Sequence, residues 1–208
     1  IKVTLTTPGL TAGGRLDERG IPAAVVSKFL WERGLVVEKT GLYSFLVLFS
    51  MGITKGKWST LLTELLEFKR HYDANIPLIE ALPSVARSGA ATYAGMGLRD
   101  RCDALHACYC ENATARAMRR MYTALPEPAM TPAQAYDALV RGEVEAVPID
   151  ELEGRVAAVM LVPYPPGIPL MMPGENAGPA DGALIGYLKS LEAFDERFPG
   201  FGHDTHGI

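Results

Sequence analysis

Cysteine is scarce in this chain. Three of 208 residues is a low, odd number that rules out a disulfide scaffold and fits a reducing cytoplasm. Clustered positive charge is also missing. Twenty Lys and Arg against 24 Asp and Glu give a formal charge of −4, with no basic block to replace the counterions of a nucleic acid. The longest apolar run lies near Phe45–Phe49, far short of the roughly 20 residues a membrane span requires. No charged-apolar-small leader opens the chain. It begins IKVTLTTPGL without an initiator Met, which reads as part of a longer polypeptide. What is present fills a core: 48% of residues are hydrophobic and 21% charged, the balance of a mildly acidic, soluble, intracellular globular protein.

Periodicity orders the chain. Val3 and Leu5 mark an opening strand, and Ala23–Arg33 carries Val25, Val26, Phe29 and Leu30 at helical spacing before Gly34. Leu35–Val37 reads as a short strand and Tyr43–Phe49 as a buried one. Over Thr60–Tyr72, Leu61, Leu62, Leu65, Leu66 and Phe68 share a helix face. That order predicts an α/β sandwich of about 75 residues. Pro77, Pro83 and the small residues Ala86–Ala91 read as a connection, placing a boundary near 74–78. Beyond it come helix over Leu98–Ala124, a capping box opening a helix at Thr131-Pro132-Ala133-Gln134, a β-rich Gly154–Val162 and a last helix over Ala183–Phe198. No internal repeat is present.

Several candidates for chemistry stand beside blander readings. Cys102, His106 and Cys110 are spaced i, i+4, i+8, with Cys108 off the stripe. Eight helical residues rise about 12 Å, too far for three ligands to meet one zinc at about 2.0–2.3 Å, so core residues are the better reading. Gly52–Ser59 suggests a phosphate loop, but the required spacing is not met: Lys57 is followed by Trp58. His203-Asp204-Thr205-His206 offers a catalytic or metal pair, against a surface turn in a tail rich in Gly and Pro. No Cys or Ser has a nucleophile context.

Two segments resist the bland reading. In Val36-Val37-Glu38-Lys39-Thr40-Gly41, charge sits between runs that want burial. Glu38 is either solvated in a turn or a carboxylate awaiting a cationic ligand. Val162–Glu175 holds five of the 15 prolines within 11 residues, interleaved with apolar side chains. Proline fixes φ and removes amide donors, which gives a stiff wall that cannot be a central strand.

The runs VVEKTGLYSFLVLFSMGITKGK, LLTELLEFKR, VPYPPGIPLMMPGE and FPGFGHDTHG resemble the carboxy-terminal part of the bacterial ornithine/lysine/arginine decarboxylases over essentially the whole chain. These are pyridoxal-phosphate enzymes of the aspartate-aminotransferase fold. The resemblance implies a fold class of α/β to α+β, with a small aminotransferase-type domain over 1–75 and the family's mixed α+β carboxy-terminal domain over 76–208. A wing domain and the large cofactor domain would precede them. It implies decarboxylation of a basic amino acid to a polyamine or diamine plus CO₂, in polyamine biosynthesis or acid resistance, by a cytoplasmic, dimer-based homo-oligomer with a decamer as the larger candidate. The alternative is a non-catalytic assembly and pocket-forming module when isolated; a paralogue using the fold only for binding is the third reading, opposed by retention of Glu38 and the proline segment.

The site residues carry over one by one. The family's Schiff-base lysine lies in a Ser-x-His-Lys motif. No His-Lys pair occurs among the contexts of Lys2, Lys28, Lys39, Lys55, Lys57, Lys69 and Lys189, so the cofactor would be bound mainly upstream and no catalytic residue is expected here. Glu38 matches the family's small-domain glutamate facing the substrate side chain, with Lys39 and Thr40 as neighbours. No metal is implied. The enterobacterial lysine enzyme binds guanosine tetraphosphate through two arginines that align with Pro77 and Gly97, so that regulation is expected to be absent.

Overall fold

The computed structural model describes residues 1–164 and 167–202, and the backbone of 204–206. It divides into two compact units, Ile1–Glu111 with Phe198–Phe201, and Asn112–Arg197 with Gly202–Ile208.

In the first unit, β1 (Lys2–Thr6), β2 (Lys39–Thr40) and β3 (Ser44–Leu48) form an antiparallel sheet in the order β1-β3-β2. Lys2 lies opposite Leu48, and Lys39 opposite Leu46. Helix α1 (Ala23–Trp31) buries Ala23, Val25, Val26, Phe29 and Leu30. Its Phe29 meets Phe68 of α2 (Lys55–Asp73) edge to face at 5.2 Å. The expected strand at Leu35–Val37 does not form. The Leu35 amide instead donates to the Leu30 carbonyl and Gly34, at φ +76°, donates to Trp31, so the helix end consumes this segment. Sheet pairing begins one turn later, where the Glu38 amide donates to Leu46. The strand at Tyr43–Phe49 is half-buried rather than buried, with Phe45 inward and Leu48 exposed. The expected face of α2 is mostly open: Phe68 is buried, whereas Leu62 and Leu66 are 53% and 55% exposed.

The expected connection after Asp73 is helical. Three short helices, α3 (Leu78–Ala81), α4 (Pro83–Ser88) and α5 (Ala90–Tyr93), bury Leu78, Ala81, Val85, Ala86 and Tyr93 before α6 (Leu98–Glu111). Small residues here permit close packing rather than flexibility, and Pro83 starts a helix instead of breaking one. Glu32 caps α4, its Oε1 accepting from the Ser84 amide and hydroxyl at 2.7 and 2.6 Å. The buried Arg101 guanidinium lies 4.3 to 5.0 Å from the ring centres of Phe198, Tyr93 and Phe201, and the Tyr93 hydroxyl donates to the Pro199 carbonyl at 2.6 Å. These contacts hold 198–201 in the first unit. Compactness therefore divides the chain at 111/112, by a different criterion from the expected domain boundary at 75/76.

The expected long helix over 98–124 is two. Ala113 adopts φ +46°, and α7 (Thr114–Thr123) restarts in the second unit. There α8 (Pro132–Arg141) carries the expected capping box: the Gln134 amide donates to Thr131 Oγ1 at 3.3 Å and the Thr131 amide to Gln134 Oε1 at 2.9 Å. The segment 154–162 contributes only isolated bridges, Val156 to Asn176 and Leu161 to Met171, before β4 (Val162–Tyr164). A last helix, α9 (Ala183–Arg197), supplies Leu184, Ile185, Tyr187, Leu188 and Leu191 to a core with Met121, Leu161, Leu170 and Met171. Strand β5 (Asp204–His206) pairs antiparallel with β4. The whole is a mixture of helices with small antiparallel sheets, so the α+β side of the expectation describes it.

Candidate functional site

Glu38 sits at the entry to β2, where its amide is tied to β3 through Leu46. Thr40, two residues on, is fixed to α1 by a hydroxyl contact with Ser27 at 2.9 Å. The backbone under Glu38 is thus held from two sides. Its side chain is 28% exposed, and its Oε1 lies 2.6 Å from Lys2 Nζ, whose own side chain is 59% exposed. The carboxylate is therefore on an open face and already holds a primary ammonium. Lys2 carries no signal at helical or strand spacing that would single it out from sequence. Only the register of β1 and β2 on β3 brings it to Glu38.

The cysteine–histidine stripe of α6 is placed differently from a metal centre. His106 is buried, with Nδ1 2.6 Å from the Tyr43 hydroxyl and Nε2 2.9 Å from the Asp17 carbonyl. A carbonyl only accepts, so Nε2 carries the proton and Nδ1 accepts from Tyr43. Gly20 passes so close that a Cβ there would lie 2.3 Å from His106 Nδ1. Cys102 and Cys108 are buried, Cys110 is exposed, and burial pushes the Cys102 thiol well above its ordinary value. Burial also raises Cys110, with Glu111 adding to it. Neither is an activated thiolate. The Tyr43 hydroxyl is likewise raised, first by burial and then by Tyr109. This node fastens the segment around Asp17 to α6.

Pro77 and Gly97 are brought together as an antiparallel bridge. Asn75, at φ +50°, orders the turn beside them: its Oδ1 accepts from the Arg99 and Asp100 amides at 2.9 and 3.3 Å, and its Nδ2 donates to Asp100 Oδ2 at 3.0 Å. The Gly97 amide donates to the same Asp100 oxygen at 3.0 Å. A Cβ on Gly97 would lie 2.2 Å from Asn75 Oδ1, so a longer residue does not fit this backbone. The adjoining cavity of about 360 Å³ is lined by Leu78, Ile79, Ala86, Ala90 and Tyr93 among others, and no Lys or Arg is in its wall.

The proline-rich segment is half wall and half surface. Val162, Pro163, Leu170 and Met171 are buried, while Tyr164, Ile168 and Met172 face outward. Pro165 and Pro166 fall outside the described residues. So do His203 and the side chains of Asp204, Thr205 and His206, and with them the candidate tail pair. In the same unit a cavity of about 550 Å³ is lined by Val144, Val147, Val156, Leu161 and Leu188, with Glu145 and Arg155 paired at its rim. Among the described residues there is no group of three His, Cys, Asp or Glu placed to hold a metal ion, and no helix long and apolar enough to cross a membrane.

The lysines do not fit an aldehyde cofactor. Lys2 pairs with Glu38, Lys69 with Asp73 and Lys189 with Asp150. Lys39, Lys55 and Lys57 are exposed, and Lys28 is half-buried in the last turn of α1.

A half-open sheet bearing a fixed carboxylate, followed by a second unit built around a proline-rich wall, has counterparts of known class. Residues 1–57 match the Orn/Lys/Arg decarboxylase, major domain, and residues 115–208 match the Orn/Lys/Arg decarboxylase, C-terminal domain. The chain belongs to the Orn/Lys/Arg decarboxylase family, as a carboxy-terminal portion. It is 72% identical over 208 residues to lysine decarboxylase LdcA of Pseudomonas aeruginosa, covering 100% of this chain and 28% of that protein. It is 44% identical over 207 residues to the biodegradative arginine decarboxylase of Escherichia coli, covering 100% of this chain and 27% of that one. The structure of lysine decarboxylase A from Pseudomonas aeruginosa superposes with a TM-score of 0.92 at 72% identity, over 100% of this chain and 28% of that structure. The chain thus spans under a third of the length of these relatives.

Proposed function

We propose that this chain is the carboxy-terminal portion of a pyridoxal-phosphate-dependent decarboxylase of a basic amino acid, and that Glu38 binds the distal cation of the substrate. One observation carries the reading: the Glu38 carboxylate, rigidly mounted and open on one side, already accepts a primary ammonium at 2.6 Å. The distal group of lysine or ornithine is that same ammonium, and a carboxylate can equally accept the guanidinium of arginine. The lysines here do not fit the cofactor, so no chemical step is assigned to this chain; electron withdrawal by the cofactor belongs to residues outside it. On this reading 1–75 serves as the small aminotransferase-fold domain and 76–208 as the family-specific carboxy-terminal domain, in a cytoplasmic enzyme.

Two further expectations belong to the same reading. Trp58, Leu62 and Leu66 follow one another at i, i+4, i+8 on α2 and stay 44% to 55% exposed, which supports a homo-oligomer of dimers in which such apolar surface is covered. The Gly97–Asn75 contact and the cavity beside it, whose wall holds the Asp100 carboxylate and no Lys or Arg, support the expectation that guanosine tetraphosphate regulation is absent.

The test of Glu38 is kinetic. In the full-length protein, Glu38→Gln is expected to raise KM for the preferred basic amino acid at least tenfold while the absorbance of bound cofactor is unchanged. Unaltered KM for lysine, ornithine and arginine would remove Glu38 from the substrate site.

A further inference from the structure

Glu38 is engaged on one of its two oxygens. The partner, Lys2, is 36 residues away in sequence and arrives from the opposite edge of the sheet. Because β1 and β2 both pair with β3 in fixed register, the approach of Lys2 Nζ to Oε1 is built into the sheet. A carboxylate in that condition differs from a free one. One oxygen already shares its lone pairs with an ammonium, and the other has no contact with Lys2.

We propose that Lys2 is a specificity-determining residue that sets Glu38 to prefer an ammonium-bearing substrate over a guanidinium-bearing one. The inference rests on the reading of Glu38 as the substrate-facing carboxylate. An ammonium is a compact point charge whose N–H donors can serve a single oxygen. A guanidinium binds a carboxylate best through two parallel N–H bonds, one to each oxygen. With Lys2 on Oε1, the second N–H of the fork must share that oxygen with another cation, and its bond is weakened. The positive charge of Lys2 also repels an incoming cation, and Lys39 beside Glu38 adds to this, but both act on ammonium and guanidinium alike. They weaken binding of every candidate and drop out of the ratio between them. Oxygen availability is what discriminates.

The experiment measures kcat/KM of the full-length protein for lysine, ornithine and arginine in four forms: unsubstituted, Lys2→Met, Lys2→Gln and Glu38→Gln. Lys2 is largely exposed and its pairing with Leu48 is through the backbone, so both Lys2 variants are expected to fold; the glutamine variant serves if the methionine one does not. The expected result is a rise of about fivefold in the arginine-to-lysine ratio in the Lys2 variants, the size of one recovered hydrogen bond of about 1 kcal/mol, carried by a lower KM for arginine and not by kcat. A ratio unchanged in the Lys2 variants, with Glu38→Gln still weakening all three substrates, overturns the role of Lys2 and leaves that of Glu38 standing. If Glu38→Gln changes none of the three, both readings fall.

Discussion

The side chain that most shapes its surroundings in the first unit is an asparagine. Asn75 occupies the left-handed region, at φ +50°, where its short amide can bond locally. It gathers two backbone amides and the Asp100 carboxylate into one turn. The Asn75 amide, and after it the Gly97 N–H, hold the Asp100 carboxyl below the usual carboxylate range. A carboxyl lowered in the folded state stabilises the fold at pH above its unfolded value of about 3.9, and that contribution fades as pH falls through the lower folded value. Asp100→Ala is therefore expected to lower the urea midpoint at pH 7 relative to the unsubstituted chain, with the gap closing as pH is taken down toward 3. A gap of constant size across that range would assign the effect to packing instead of to the charged hydrogen bonds. The effect is local and small, because Asp100 is close to water.

Among the elements, α8 shows how far a local signal can be trusted. Thr131 and Gln134 announce a capping box, and both reciprocal hydrogen bonds form. Only Ala135 of this helix is buried, while Tyr136 and Val140 are exposed, so the cap carries a large share of what keeps α8 helical. Thr131→Ala is expected to cost about 1 kcal/mol in that helix, seen as roughly fivefold faster amide exchange across 134–141 and little change in α9. Uniform acceleration through both helices would mean that α8 opens only with the whole unit. The other local signals fared by the same logic. α1 and α9 were legible because apolar spacing and real burial coincide, at Phe29 and Leu30 and at Leu184, Leu188 and Leu191. Leu35–Val37 misled because a short apolar run cannot show that the Leu35 amide is already spent on the helix end. The three helices between 78 and 93 were hidden because each is a turn or two, stabilised by burial and by the distant Glu32 cap rather than by a periodic face. In the candidate site, Glu38 could be singled out as a charge between apolar runs, and its proposed role comes from resemblance. Lys2, Asp17 and Tyr43 are set by strand register and by loop passage across long sequence distances, to which spacing within one element is blind.

At the scale of the whole molecule, what matters is how chemistry is divided between this chain and the remainder of a polypeptide like its longer relatives. A resident aldehyde cofactor needs a lysine that is desolvated enough to surrender its proton and is flanked by groups that fix the ring and phosphate. Here three of the seven lysines are tied to carboxylates. The others are open to water or only half-buried. Purified chain, its fold verified by circular dichroism, is therefore expected to take up pyridoxal phosphate only substoichiometrically. After borohydride reduction, peptide mapping should find the label spread over several lysines, and no CO₂ should be released from lysine, arginine or ornithine. One lysine labelled to completion, with turnover, would instead place a cofactor site within these residues and make the chain an enzyme by itself. On the role proposed for Glu38, such a division of labour has a physical rationale. A carboxylate that reads the far end of a substrate must stand several bonds from the reacting carbon, so a separate, rigid sheet can present it without sharing the cofactor's walls. The Glu38 mounting, fixed from β3 and from α1, is suited to that task whether or not the chemistry is covalently attached to it.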